Sequence, residues 1–181
     1  MTASVTSHVQ AHSTTFSVCV LLMRVMLGGM IAAHGLNKFF GGGKIAGTTA
    51  WFDSMGMRPA KANALMAATT EVGAGVLLII GLLTPLACAA LVSLMVVAII
   101  TVHYKNGFFV FNPGQGIEYC LVVAVMAVAL GGLGAGKFSV DHAAKVWTLR
   151  PSAGLAVAAV VGIGGALLQL AACYRPSKAE A

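Results

Sequence analysis

Two apolar runs of about twenty residues each carry a charge in their interior. The first is VCVLLMRVMLGGMIAAHG, Val18 to Gly35, with Arg24 inside it. The second is ANALMAATTEVGAGVLLIIGLL, Ala62 to Leu83, with Glu71 inside it. Runs of this length and apolarity match the thickness of a bilayer core. A charge near the centre of such a span costs about 2.5–3.5 kcal/mol on insertion scales, so it needs compensation from a partner. The chain is 59% hydrophobic and only 9% charged, whereas soluble domains run at roughly 25% charged. The fold these facts dictate is an all-α, polytopic transmembrane helix bundle.

Five spans are predicted: about Phe16–Leu36, Ala62–Leu83, Pro85–Val102, Ile117–Leu133 and Ala153–Cys173. Residues 1–15 read as a polar N-terminal tail, residues 16–142 as a four-helix core, and residues 143–181 as a loop, a fifth span and a basic tail. No lysine or arginine precedes the first span, so a cleaved signal peptide is not expected. His8 and His12 sit four apart in the tail, but no third ligand accompanies them and no metal site is read there. Helix 1 places Arg24, Gly28, Ile31, Gly35 and Lys38 near one face, and helix 2 does the same with Ala64, Ala67, Ala68, Glu71, Gly75 and Leu78. Both stripes are small or polar and are predicted to pack inside the bundle. Between them, TTAWFDSMGMRP is too apolar for a free loop. It reads as an amphipathic or re-entrant segment anchored by Trp51 at the interface.

Five spans divide the loops between two sides. Call B the side that holds the long loop from Asn37 to Lys61, and A the other. Arg24 lies ten residues before His34 and Glu71 nine residues after Ala62, so both sit roughly 14 Å below the B surface. Equal depth makes an Arg24–Glu71 ion pair the expected compensation, acting either to fix helix register or to hold or protonate a ligand. His34, Lys38, His103, Glu118 and Tyr119 all fall near B ends of helices and form a candidate polar cluster. Side B carries seven lysines and arginines and side A three. The positive-inside rule then predicts a multi-pass plasma-membrane protein with a cytoplasmic C-terminus and an external N-terminus.

Several chemistries lack their motifs. The +6 charge is scattered through loops, with no basic run or aromatic pattern for nucleic acid. FFGGGK lacks the spacing of a phosphate-binding loop, and GGLGAG follows no strand. Cys19, Cys88, Cys120 and Cys173 form no CxxC pair and read as small apolar residues; no haem, iron–sulfur or flavin signature is present.

An ordered set of motifs resembles the DoxX family of small bacterial membrane proteins. It comprises R-x3-G-x5-HG-x2-K (Arg24 to Lys38), F-x2-MGM (Phe52 to Met57) and the segment from Glu71 to Ala87 ending in GLLTPLA. HYKNGFF, GQGIEY and GAGKFSVD, between His103 and Asp141, complete it. The resemblance implies a four-helix membrane core, with the fifth helix an added span. It also implies a redox-linked role, since relatives include a membrane subunit of a thiosulfate:quinone oxidoreductase. On that footing the expected function is a subunit of a quinone- or thiol-linked redox system, working with a soluble or membrane partner. A quinone site would draw on His34, Lys38, His103 and Tyr119. Two other classes stay open: a solute or proton transporter, which so short a chain would form as a homo-oligomer, and a scaffold that recruits soluble enzymes through its B-side loop.

Overall fold

The computed structural model describes residues 2–146 and 149–176, with side chains from residue 13 onward. The His8 and His12 side chains and Lys178 lie outside the described residues. Helix α1 runs Thr2–Phe40 and α2 Lys44–Ser54. Helix α3 is Ala60–Ile80 and α4 is Thr84–Asn106, the latter widened to a π-turn at Ile99–His103. Helix α5 is Glu118–Leu133, α6 is the short Val140–Ala144, and α7 is Pro151–Cys173 with a second π-turn at Val157–Val161. Ser13–Phe40, α3, α4 and α7 are long and apolar enough to cross a membrane. The 16-residue α5 is equally apolar and packs antiparallel along α4, its Gly131 beside Cys88 and Ala158. The bundle is all-α, and the isolated bridge between Met57 and Tyr174 is the β pairing found among the described residues.

Two helix limits differ from expectation. Helix α1 does not stop at Leu36 but continues a full turn to Phe40, and it begins at Thr2, within the stretch read as a tail. No proline interrupts the sequence before Pro59, and Gly41 to Gly43 provide the break that ends the helix. The long B-side loop also contains α2, whose Phe52 is buried with Met57, Ala64, Val97 and Ala166. The amphipathic segment is therefore a helix seated on α3, with Trp51 on its half-exposed side.

The α1–α3 contact follows from the two predicted stripes, and every member of the α3 stripe is buried. A Cβ on Gly28 would lie 2.6 Å from the Gly75 carbonyl oxygen, and one on Gly75 would lie 2.6 Å from the Gly28 oxygen. Only glycine lets the backbones touch at this crossing. Helix α3 ends at Gly81 in a left-handed conformation (φ 69°), and Leu82 N–H donates back to the Leu77 carbonyl. Pro85 sits in the first turn of α4, where its missing N–H costs nothing. The main core lies between α1, α3, α4 and α5 around Leu27, Ile31, Leu78, Leu91, Val123 and Leu130. At the B end, Arg58 N–H donates to the Cys173 carbonyl (2.8 Å) and Arg175 N–H to the Gly56 carbonyl (2.7 Å). These bonds tie the end of α7 to the α2–α3 loop, so α7 finishes on the side where α3 starts.

Candidate functional site

The α1–α3 register decides which charges meet. Gly28 faces Gly75, and Gly35 faces Ala68 and Val72. Arg24 therefore lies opposite Ile79, about eight residues or roughly 12 Å along the helix from Glu71. The expected Arg24–Glu71 ion pair does not form. Side chains on a helix lean toward its N-terminus. On antiparallel α1 and α3 this tilts Arg24 toward side A and Glu71 toward side B, so the two diverge. Helix α1 extends six residues past His34, the position used to set the B surface, so Arg24 lies deeper than its distance from His34 implied.

Each charge has another partner. Lys38, in the last turn of α1, leans back down the bundle while Glu71 leans up. The ammonium donates to both carboxylate oxygens, at 2.7 and 2.6 Å. Their side chains are only 18% and 9% exposed. Arg24, fully buried, donates to the carbonyl oxygens of Leu78 (3.1 Å), Ile79 (3.2 Å) and Phe138 (2.8 Å), and also to that of Ala135. Leu78 and Ile79 lie in the last turn of α3, where carbonyls lack helical partners, so the guanidinium caps that helix and binds the A-side loop to it. Asp141, also buried, completes the arrangement. Its carboxylate accepts from Leu83 N–H (2.8 Å) and Thr84 N–H (3.0 Å) at the start of α4. Sequence reasoning passed over Asp141 as one polar residue in a loop. No local pattern pointed to it, because its partners lie 58 and 57 residues earlier in the chain.

The candidate site is at the B end. A cavity of about 530 Å³ is lined there by His34, Lys38, Glu71, His103 and Tyr119, with Trp51, Met95 and Val102 among its walls. All four residues proposed from sequence for a quinone site meet in this one space, and Glu71 joins them. Tyr119 Oη stands 3.4 Å from His34 Nε2. His103 Nδ1 lies 2.8 Å from the Gln115 carbonyl oxygen; a carbonyl can only accept, so Nδ1 carries the proton. In the neutral ring Nε2 is then the proton acceptor. Asn106 holds the loop that supplies Gln115, donating through Nδ2 to the Gly114 (2.8 Å) and Gln115 (3.1 Å) carbonyls. Glu118 is not among the lining residues; its Oε2 accepts from Val110 N–H (3.0 Å) and braces the same loop. A smaller apolar chamber of about 90 Å³ adjoins the cavity, sharing Trp51, Lys38 and Glu71 and adding Phe52, Met55 and Gln169. The ion pair thus lies between a polar mouth and a greasy recess. Cys88 and Cys120 are buried, and all four cysteines are free thiols.

The DoxX family profile matches residues 19–104, which contain the buried α1–α3 crossing, α2 and α4 through His103. A protein of Bacillus subtilis (strain 168) named "Putative oxidoreductase CatD" is 33% identical over 118 residues, 65% of this chain and 82% of that protein. The chain belongs to the DoxX family. Arg24, His34, Lys38, Glu71 and His103 fall inside the matched DoxX region, whereas Tyr119 and Asp141 lie beyond it. No solved structure matches the chain. As a DoxX protein with four helices of membrane-spanning length, this is a membrane protein.

Proposed function

We propose that this chain is the membrane subunit of a redox system and that its B-end cavity binds a quinone headgroup. The observation that carries the reading is the convergence of an ammonium–carboxylate pair, two imidazoles and a phenol on one cavity with apolar walls. A quinone ring needs an apolar slot for its faces and hydrogen-bond partners for its two oxygens. Met95, Ala98, Val102 and Ile31 supply the slot. Tyr119 Oη and Lys38 can donate to a carbonyl oxygen, and His103 Nε2 can accept from a hydroxyl of the reduced form. Glu71 holds Lys38 in place and offers a second proton site beside it. The name of the Bacillus relative contains the word oxidoreductase, which agrees with this class.

Electrons pass to or from a partner, since the chain carries no haem, iron–sulfur or flavin motif of its own. The excess of lysine and arginine on side B supports a cavity mouth at the cytoplasmic face of the plasma membrane. The transport alternative drew on an Arg24–Glu71 layer; Arg24 is committed to backbone carbonyls and is not available as a carrier of solute charge.

The test is quinone content. Protein purified in mild detergent is extracted with organic solvent and the quinone is quantified per chain. Wild type is expected to retain quinone, and His103→Ala and Tyr119→Phe to lose most of it. Equal content in all three would refute the reading.

A further inference from the structure

The four core helices close on one another in the order α1, α3, α4, α5, but α5 and α1 meet only loosely. Along this seam runs a second concavity of about 480 Å³, lined by Met23, Met26 and Met30 of α1 and by Val122, Val123 and Met126 of α5. It opens outward: Met26 is 72% and Val122 57% exposed. Apolar exposure is expected on a lipid-facing surface and says nothing alone. Two further features do. The groove is concave, and its B end is closed by Tyr119, the residue whose ring also lines the polar cavity and whose hydroxyl faces His34. A lipid-facing groove therefore runs into the polar site at a shared side chain.

Resting on the quinone reading above, we infer that the α1–α5 groove is the route by which a prenyl-tailed quinone enters the cavity sideways from the bilayer, and that it holds the tail while the headgroup is bound. The groove extends from Leu22 to Met30 on α1, roughly 12 Å of helix. Its open volume over that length accommodates a single hydrocarbon chain. Three α1 methionines and Met126 line it, and unbranched, polarizable side chains adapt to a flexible chain. A tail already dissolved in lipid gains no hydrophobic energy by entering. The groove acts by letting the headgroup reach Tyr119 without leaving the bilayer and by fixing which way the ring points. Filling the groove must then harm long-tailed quinones selectively.

The experiment uses the full chain in lipid nanodiscs with Trp147→Phe, so that Trp51, a wall of the cavity, reports binding by fluorescence quenching. The probes are ubiquinone-10 and tail-less ubiquinone-0, which reaches the cavity from water. Met26→Phe/Met126→Phe is expected to weaken apparent ubiquinone-10 binding by about tenfold while leaving ubiquinone-0 unchanged. The lipid-exposed rim variant Val122→Phe should give the same pattern. Unchanged ubiquinone-10 binding in both phenylalanine variants, or equal loss of both quinones, overturns the groove and leaves the cavity reading intact. Wild type that binds neither probe overturns the cavity reading and the groove with it.

Discussion

Replacing Lys38 with methionine removes the ammonium from a carboxylate that is almost out of reach of water. Glu71 has a side chain only 9% exposed and takes both of its close contacts from Lys38. Stranding a buried charge in this way costs about 3–5 kcal/mol. The converse change is milder. Glu71→Gln keeps an acceptor oxygen, and Lys38 in the last turn of α1 can carry its ammonium to the B surface along its own stem, so the loss is about 1–2 kcal/mol. The double variant Lys38→Met/Glu71→Gln buries no charge at this point and should be more stable than Lys38→Met alone, giving a coupling of about 2 kcal/mol. The same arithmetic applied to Arg24→Lys and Glu71→Gln should show additivity within about 0.5 kcal/mol, because the register separates those residues by roughly 12 Å. The assay is reversible denaturant unfolding in micelles followed by circular dichroism, on all single and double variants. Additive losses for Lys38 and Glu71, or a coupling above about 1 kcal/mol between Arg24 and Glu71, would refute both the pairing and the helix register.

Asp141→Ala leaves the Leu83 and Thr84 amides without their acceptor at the start of α4, and water from the adjoining A-side cavity replaces part of the loss. Stability should fall by about 2–4 kcal/mol in the same unfolding assay, with quinone content per folded chain unchanged. Gly28→Leu drives a side chain into the Gly75 backbone, so the α1–α3 crossing must open; lower yield and a heterogeneous elution profile in gel filtration are expected, whereas Gly29→Leu, with open space at its Cβ, should behave as wild type. Single cysteines introduced at Lys44 and Lys145, in a background lacking the native four, should react with a membrane-impermeant maleimide from opposite faces, Lys44→Cys only after the membrane is opened.

What could be read from the chain was whatever depends on period and composition. The α1 and α3 stripes are helical faces of small residues, and their burial follows from spacing alone. The assembly of His34, Lys38, His103 and Tyr119 was legible because each sits near the B end of its helix, and ends on one side of a bundle are neighbours. The pairing of charges was not. It depends on where α1 stops and on the register set by Gly28 and Gly75, which together decide whether Arg24 or Lys38 meets Glu71. Side-chain tilt was available in advance: it points Lys38 and Glu71 at each other and Arg24 and Glu71 apart in any antiparallel pair. Asp141 illustrates a deeper limit. Its partners are 57 and 58 residues away, and no local pattern records a bond across that distance. The amphipathic character of the α2 segment was legible, but the packing of Phe52 with Val97 and Ala166 belongs to the same class as Asp141, since those partners lie far along the chain.

Occupation of the B-end cavity by a quinone headgroup can be tested directly. Its most direct test is photolabelling of the membrane-embedded chain with an azido-quinone, followed by mass-spectrometric mapping. Crosslinks are expected within His34–Lys38 and within His103–Tyr119, both suppressed by excess unlabelled quinone. Crosslinks confined to the A-side loop around Ala135 to His142, or labelling that unlabelled quinone does not suppress, would contradict it.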